Sequence, residues 1–475
     1  MAATVSEIPV GFDGDGAGTG ELTWGQMGIW QTTQRTGRTM NIVIAMPVTR
    51  ESPLAPESSL AAVAAALRFI VTRHPALRTR LAFADGPAGR RPRQVIAGSG
   101  EVPLHVVDIG DGEDPAAAAE ELRSRYELTW FDYENEFPVR MGVVRQSGTL
   151  AQMVLGFSHV MVDGNGIGTV FTDLERLNRG AGEATGPAEA TGPAEGLSPL
   201  ELAGKQGSPS GRRQNERAIG YWAAQLGRLP AWRFPEPPRP REPRFAELVA
   251  CSPAMELGMR AIAARTGAGT SDVLLAAYSV AVARVFGRDP SVAQVVVSNR
   301  FRPGLAGLVS QVSQHGICVV EVAGASFGEV VARAQKAATG ASFYGYYDPV
   351  ERDRLLDEAD KSRGEPLDIS WTVNDRRNMF EPGDDGGESG GGVPTAADVR
   401  KALPRTRLYW DRSQPTFDGT LFLQVDSDPP LADRAALADG LPAVHLEVWT
   451  DTHLFALDRV EAFVREMEAV VVAAV

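Results

Sequence analysis

A chain of 475 residues, 43% hydrophobic and 23% charged, is long and apolar enough for two domains of ordinary size or one large bilobal unit. Its net charge of -13 leaves no basic surplus to neutralise phosphates, which excludes an electrostatic nucleic-acid binder. Two cysteines, Cys251 and Cys318, are too few for a disulfide framework or a zinc site and fit a reducing cytosol, and six histidines without a His-x-His or His-Glu-x-x-His pairing predict no metal.

Residues 1–20 place Gly14, Gly16, Gly18 and Gly20 among small and acidic residues, with no basic start followed by an apolar core. They read as a disordered leader, not a signal peptide. No apolar run reaches the ~18 residues of a membrane helix, so a soluble, cytoplasmic protein is expected. Residues 22–30 form a short amphipathic helix pattern with Met27 and Trp30 as core residues, and residues 41–48 read as a strand. Leu60, Val63, Ala64, Leu67, Ile70 and Val71 then trace one face of a helix that Ser58 or Ser59 caps. Next comes Arg73-His74-Pro75-Ala76-Leu77-Arg78-Thr79, by its local composition a basic turn with His74 exposed.

The central stretch is Gly156-Phe157-Ser158-His159-Val160-Met161-Val162-Asp163-Gly164. The apolar run 153–157 reads as a buried strand, and Ile167, Val170, Phe171, Leu174 and Leu177 recur at helical spacing. His159 therefore sits where a strand gives way to a loop and a helix, a usual place for polar chemistry. Neutral imidazole accepts a proton near pH 7, although a lone His beside apolar residues is more often packed than catalytic. Asp163 either orients the ring or locks the loop by pairing with a cation elsewhere. The glycines of residues 164–168 lack the dinucleotide and P-loop spacings.

From residue 180 to 211 the composition changes. Residues 184–189 are repeated directly as 190–195, and the stretch reads as a low-complexity linker between an N-terminal lobe (21–179) and a C-terminal lobe (212–475). In the second half a helix is expected over 215–226, a Pro-rich extended segment over 235–243, and a strongly apolar helix over 273–286 that Thr270 or Ser271 caps and Gly287 stops. A β-branched strand, 292–297, ends in Ser298-Asn299-Arg300. Gln314-His315-Gly316-Ile317-Cys318 begins another strand, where His315 and Cys318 point to opposite faces and Cys318 is core. Residues 368–375 read as a strand ending in a turn, 381–392 as a mobile acidic loop, and the C-terminus as an amphipathic helix with Val460, Phe463, Val464, Met467, Val470 and Val471 on one face.

Several of these stretches resemble, in order, the motifs of the condensation domains of nonribosomal peptide synthetases and of the wider carrier- or CoA-dependent acyltransferase superfamily. Gln26 and Trp30, four apart, are similar to the opening motif. Arg73, His74, Leu77, Arg78 and Thr79 match the second, Arg-His-x-x-Leu-Arg-Thr, which is structural, so His74 takes no catalytic role. The central stretch resembles His-His-x-x-x-Asp-Gly, with His159 as the second His, Asp163 and Gly164 in place, and Ser158 where the first His stands. Arg300 falls on the Arg of a Gly-Arg pair, with Asn299 replacing the Gly, while residues 314–318 match the later Gly-x-x-x-Asn-Thr motif poorly. The resemblance runs from about residue 21 to the end.

It implies an α/β fold of two chloramphenicol-acetyltransferase-like lobes in a V-shaped pseudodimer with a central channel. The implied chemistry is transfer of an acyl group from a carrier-protein phosphopantetheine thioester to an amine or hydroxyl acceptor, in the antibiotic and secondary metabolism of nonribosomal peptides. His159 would be catalytic, Asp163 structural and paired with Arg300 across the lobes, Gly164 the close approach to the oxyanion, Ser158 a loop support, and Ser370, Thr372 and Asn374 substrate contacts. No cofactor is bound, the arm coming with an acyl or peptidyl carrier protein in trans or with CoA. The partners are that carrier and a small-molecule acceptor, with no nucleic acid and no membrane, and the protein is a monomer. Two other readings stay open: a degenerate docking platform for carriers, and a CoA-dependent acyltransferase of a small molecule. A stand-alone epimerase fits the Gln26–Trp30 opening less well.

Overall fold

The computed structural model describes residues 4–84, 91–180, 196–230, 240–364, 367–377, 392–427 and 441–475. The chain divides into two compact units, one of residues 1–213 with 298–313 and one of residues 214–297 with 314–475. Each is α/β.

In chain order the first unit runs β1 (Thr4–Asp13), β2 (Gly18–Glu21), α1 (Trp24–Thr36), β3 (Asn41–Pro47), α2 (Leu60–Arg73), β4 (Thr79–Ala84), β5 (Arg91–Ile96), β6 (Ser99–Ile109), α3 (Pro115–Leu128), β7 (Val139–Gln146), β8 (Thr149–Ser158), α4 (Gly164–Gly180) and α5 (Pro199–Gln206). A five-stranded sheet has the order β1-β6-β7-β8-β3, parallel only between β6 and β7, and β2-β5-β4 form a small antiparallel sheet. Because alternate residues of a strand face opposite ways, Val106 and Val107 enter different cores. One core sets α2 and α4 against the sheet through Leu67, Ile70, Ile167 and Val170, and the other sets α3 through Leu122 and Tyr126.

The disordered leader is corrected. β1 pairs with β6 along its whole length, from Thr4 opposite Asp108 to Asp13 opposite Ser99, and buries Val10 and Phe12. The alternation Ile8, Val10, Phe12 is a strand signal that the glycines of residues 14–20 outweighed in the sequence reading. Arg78 holds the turn after β1, donating to the Ala97 carbonyl at 2.6 Å and to the Asp15 carbonyl.

The linker expected over 180–211 also gives way in part. Residues 181–195 lie outside the described residues, but α5 follows, with Ser198 as its N-cap and Leu202 and Gln206 buried. The first unit accordingly extends to Arg213. The acidic loop expected over 381–392 lies, apart from Gly392, outside the described residues.

The second unit carries α6 (Pro209–Arg228, entered from the first unit), β9 (Phe245–Ser252), α7 (Pro253–Thr266), α8 (Thr270–Phe286), β10 (Ser291–Val297), β11 (Gln314–Val320), α9 (Phe327–Tyr344), α10 (Pro349–Arg363), β12 (Trp371–Asp375), α11 (Ala396–Ala402), β13 (Arg407–Gln414), β14 (Leu421–Asp426), β15 (Val444–Asp451) and α12 (Leu457–Ala473). Its seven strands run β11-β10-β12-β14-β15-β9-β13. α7, α8, α9 and α12 bury one face of this sheet, and all six residues singled out on the C-terminal helix lie in that core. Neither Thr270 nor Ser271 caps α8: Gly269 is the N-cap, and the Asp272 carboxylate accepts from its N–H at 3.0 Å. α6 packs elsewhere on the sheet, its fully buried Trp222 meeting Tyr347 edge-on at 5.4 Å. Truncating an indole in such a setting leaves a cavity as well as lost burial. Trp222→Ala should therefore lower the unfolding free energy by about 3–5 kcal/mol, measured by urea denaturation.

Candidate functional site

β8 is anchored by β7 and β3 on either side and ends at Ser158. There the Ser158 carbonyl accepts from the N–H groups of Met161 (2.9 Å) and Val162 (3.1 Å), closing a tight turn that contains His159. Val160, Met161 and Val162 are buried, which fixes the turn in the core. His159 itself is part-exposed.

Its ring is oriented by the backbone. Nδ1 lies 3.0 Å from the Val162 carbonyl oxygen, an acceptor only, so Nδ1 carries the hydrogen and donates it. In the neutral ring the lone pair is then on Nε2, which has no protein partner among the described residues. Burial lowers the pKa of His159 below the ordinary imidazole value, against the Val162 hydrogen bond and the nearby Asp163 charge, which both raise it. At pH 7 the ring is a neutral base with a free lone pair.

Asp163 locks the loop and does not touch the ring. Its Oδ1 accepts from Gly166 N at 2.8 Å and from Arg300 Nη2; its Oδ2 accepts from Val312 N (3.0 Å), Ser313 N (3.0 Å) and Ser313 Oγ (2.9 Å). Its backbone carbonyl takes Ile167 N at 3.0 Å, so the residue also starts α4. Burial alone would raise this carboxyl's pKa; the Arg300 charge and the hydrogen bonds outweigh it and hold the pKa below the usual carboxylate range. Of the two roles open to Asp163 in the sequence, cation pairing is the one formed. Gly164 is the first residue of α4, and a Cβ on Gly166 would lie 3.0 Å from Val162 Cγ1 and 3.3 Å from Asp163 Oδ1.

Arg300 follows β10, a strand of the second unit, yet lies in the segment 298–313 of the first. The ion pair is thus internal to one unit, where the sequence reading placed it across two lobes. Besides Asp163, Arg300 donates to the carbonyls of Leu305 (3.0 Å), Leu308 and Ser310 (3.2 Å), which fold its segment around the guanidinium. Asn299 has φ +58°, a left-handed conformation that Gly adopts freely and Asn tolerates. An Asn is thus compatible with the position where the resemblance leads one to expect a Gly.

Ser158 is fully buried, its hydroxyl 3.1 Å from that of Tyr133, whose ring meets Trp30 edge-on at 5.7 Å. Gln26 forms a capping box with Thr23 and turns its Nε2 to Met161 Sδ at 3.5 Å. The opening motif thereby buttresses the His159 turn. His74 is buried, contrary to the exposed basic turn: its Nε2 lies 3.0 Å from Asp173 Oδ2, which also accepts from Arg73 Nε at 2.8 Å, joining α2 to α4. Burial lowers its pKa despite Asp173. Val162, Tyr133, Val312 and Ser313 were missed in the sequence; three act through backbone atoms, which carry no residue-type signal.

Ser370, Thr372 and Asn374 belong to the second unit, before and along β12, and His159 to the first. Cys318 is core, and burial pushes its thiol pKa far up, which leaves it inert as a nucleophile. Among the described residues no group of His, Cys, Asp and Glu could hold a metal, and no single helix is long and apolar enough to cross a membrane.

A family model described as the condensation domain matches residues 17–367. Phosphinothricin tripeptide synthetase PhsC of Streptomyces viridochromogenes is 28% identical over 391 residues, 77% of this chain; the chain spans only 34% of that synthetase. Among solved structures, the condensation domain from Monacolin K polyketide synthase MokA superposes with a TM-score of 0.68 at 16% identity, covering 97% of this chain and 98% of that one. The X-domain from teicoplanin biosynthesis gives 0.66 at 17% identity, covering 96% and 94%. These two likenesses establish the fold.

Asp163→Ala should destabilise the protein by roughly 3–5 kcal/mol, because it leaves Arg300 buried without its counter-charge. Since the folded pKa of Asp163 is depressed, its stabilisation is present above the unfolded carboxyl value and is lost as pH falls below about 4. Urea unfolding of both proteins over an acid pH series should show a smaller acid-induced loss in the variant.

Proposed function

The chain belongs to the condensation-domain family, and we propose that it transfers an acyl group from a phosphopantetheine thioester on a carrier protein to an amine or hydroxyl, with His159 as general base. The observation that carries this is the His159 ring itself: oriented by the Val162 carbonyl, neutral at pH 7 and with Nε2 unspent.

Nε2 accepts the proton of the acceptor as its nitrogen or oxygen attacks the thioester carbonyl. As the tetrahedral intermediate collapses, the carbon–sulfur bond breaks and the imidazolium returns the proton to the departing thiolate. No covalent acyl-enzyme forms. Gly164, without a side chain at the start of α4, lets the backbone approach the oxyanion, and the Asp163 charge favours the imidazolium while its bonds hold the turn. Holding both reactants in place accounts for several kcal/mol of barrier lowering, and base catalysis for roughly a 100- to 10,000-fold rate. Ser158 supports the turn through Tyr133. The carrier or CoA brings the only cofactor, the phosphopantetheine arm. Ser370, Thr372 and Asn374 are substrate contacts in this reading.

A second reading is a docking platform for carriers. It draws on Ser158 in place of the first motif His and on the likeness to the teicoplanin X-domain, which has been solved in complex with OxyB.

The test is intact-mass spectrometry of an acyl-loaded carrier protein with candidate acceptors. Loss of the acyl mass with a condensed product, reduced at least 100-fold by His159→Ala, supports transfer through His159; a carrier that binds yet stays loaded with both proteins supports the platform. Because the folded pKa of His159 is lowered, kcat/KM should hold at pH 7 and fall only below the ordinary imidazole value of about 6.5. An acid limb centred above that value would count against His159 as the base.

A further inference from the structure

We propose that the seven-stranded sheet of the second unit binds a protonated amine, with Glu447 as its counter-ion and the Asn374 and Gln424 amides beside it. The register sets Asn374 opposite Gln424 and Gln424 opposite Glu447, which puts the three side chains in a row across β12, β14 and β15. Their neighbours along each strand, Val373, Leu423 and Val448, point the other way into the helix-covered core. The row therefore stands on the opposite face.

Glu447 is the anomaly in this row. Its side chain is 21% exposed; Oε2 accepts from Gln424 Nε2 at 2.7 Å and Oε1 lies 3.4 Å from His445 Nε2. Among the described residues no lysine or arginine is within ion-pair distance of it. The two guanidiniums whose charge acts on it are bound to other carboxylates, Arg376 to Asp426 at 2.6 and 3.0 Å, Arg412 to Glu247 at 2.7 and 2.8 Å. Burial works to raise the Glu447 pKa, but the hydrogen bond and charge of His445 and, after them, the Arg376 and Arg412 charges hold it below the usual value, so the carboxylate is charged at neutral pH.

Two further groups have hydrogen-bonding capacity to spare. The half-buried Asn374 amide has no partner among the described residues, and His445, 2% exposed, has an unpartnered Nδ1. A largely buried carboxylate whose one close cationic partner is a histidine 3.4 Å away is incompletely neutralised, and a ligand ammonium removes that cost while the free amide takes a neighbouring polar atom. An amine held as ammonium has no lone pair and does not attack a thioester. The bound cation is thus a second group of the substrate, separate from the one that reacts. That it belongs to a substrate of acyl transfer rests on the function proposed above; the binding does not.

The test uses the full chain and two probes, benzylammonium and benzyl alcohol, followed by saturation-transfer NMR. Glu447→Gln should weaken benzylammonium about tenfold and leave benzyl alcohol unchanged. Equal benzylammonium binding by wild type and variant overturns the site. If both probes weaken together, Glu447→Asp decides: recovery of benzylammonium binding supports the carboxylate, and no recovery overturns it. Because the readout involves no acyl transfer, an inactive protein that still binds benzylammonium through Glu447 would sink the acyltransferase reading and leave this site standing.

Discussion

The buried carboxylate of Asp163 is the constraint on which the first unit's site depends. A charge in that position is tolerated only when every oxygen is answered, and here Arg300, three backbone N–H groups and the Ser313 hydroxyl answer both. Satisfying it does several things at once. It starts α4, draws in residues 298–313, which follow a strand of the other unit, and holds the exit of the turn that carries His159. Such a carboxylate is spent as a base. Its saturation leaves the base role proposed above to His159.

His159 is left with one hydrogen bond, to a backbone carbonyl two residues past the middle of a buried turn. This fixes the tautomer without any charged partner, so desolvation dominates its titration and keeps the ring neutral. The residues around it work by packing. Gln26 reaches Met161, and Trp30 supports Tyr133, which bonds Ser158. Ser158 faces the Tyr133 hydroxyl and satisfies it with a small side chain. Ser158 supports the turn through Tyr133 and takes no part in the Nδ1 bond that orients His159.

The second unit is organised differently. Its sheet hides one face under α7, α8, α9 and α12, and its other face carries amides, carboxylates and guanidiniums in cross-strand rows. Among the described residues Arg376 pairs with Asp426 and Arg412 with Glu247, whereas Glu447 has only His445 as a close cationic partner.

Much of this was written in the sequence. The periods of α2, α4, α8 and α12, the Gly287 stop and the three ordered motifs named the elements, and His159, Asp163 and Arg300 stood out as side chains whose chemistry is rare enough to locate alone. What failed in the sequence failed for identifiable reasons. β1 was hidden by the glycines beside it, since a strand with one alternating face is a weak local signal until its partner β6 is known. His74 looked exposed because only tertiary packing brings Asp173 to it from a hundred residues away. The Val162 carbonyl and the Val312 and Ser313 amides were invisible, because every residue type but proline offers the same backbone groups. The sequence by itself determined the chemical types at the site and the family that uses them. Only the tertiary structure decided which partner each one takes, because burial forces a charge to find its match wherever the fold has placed one.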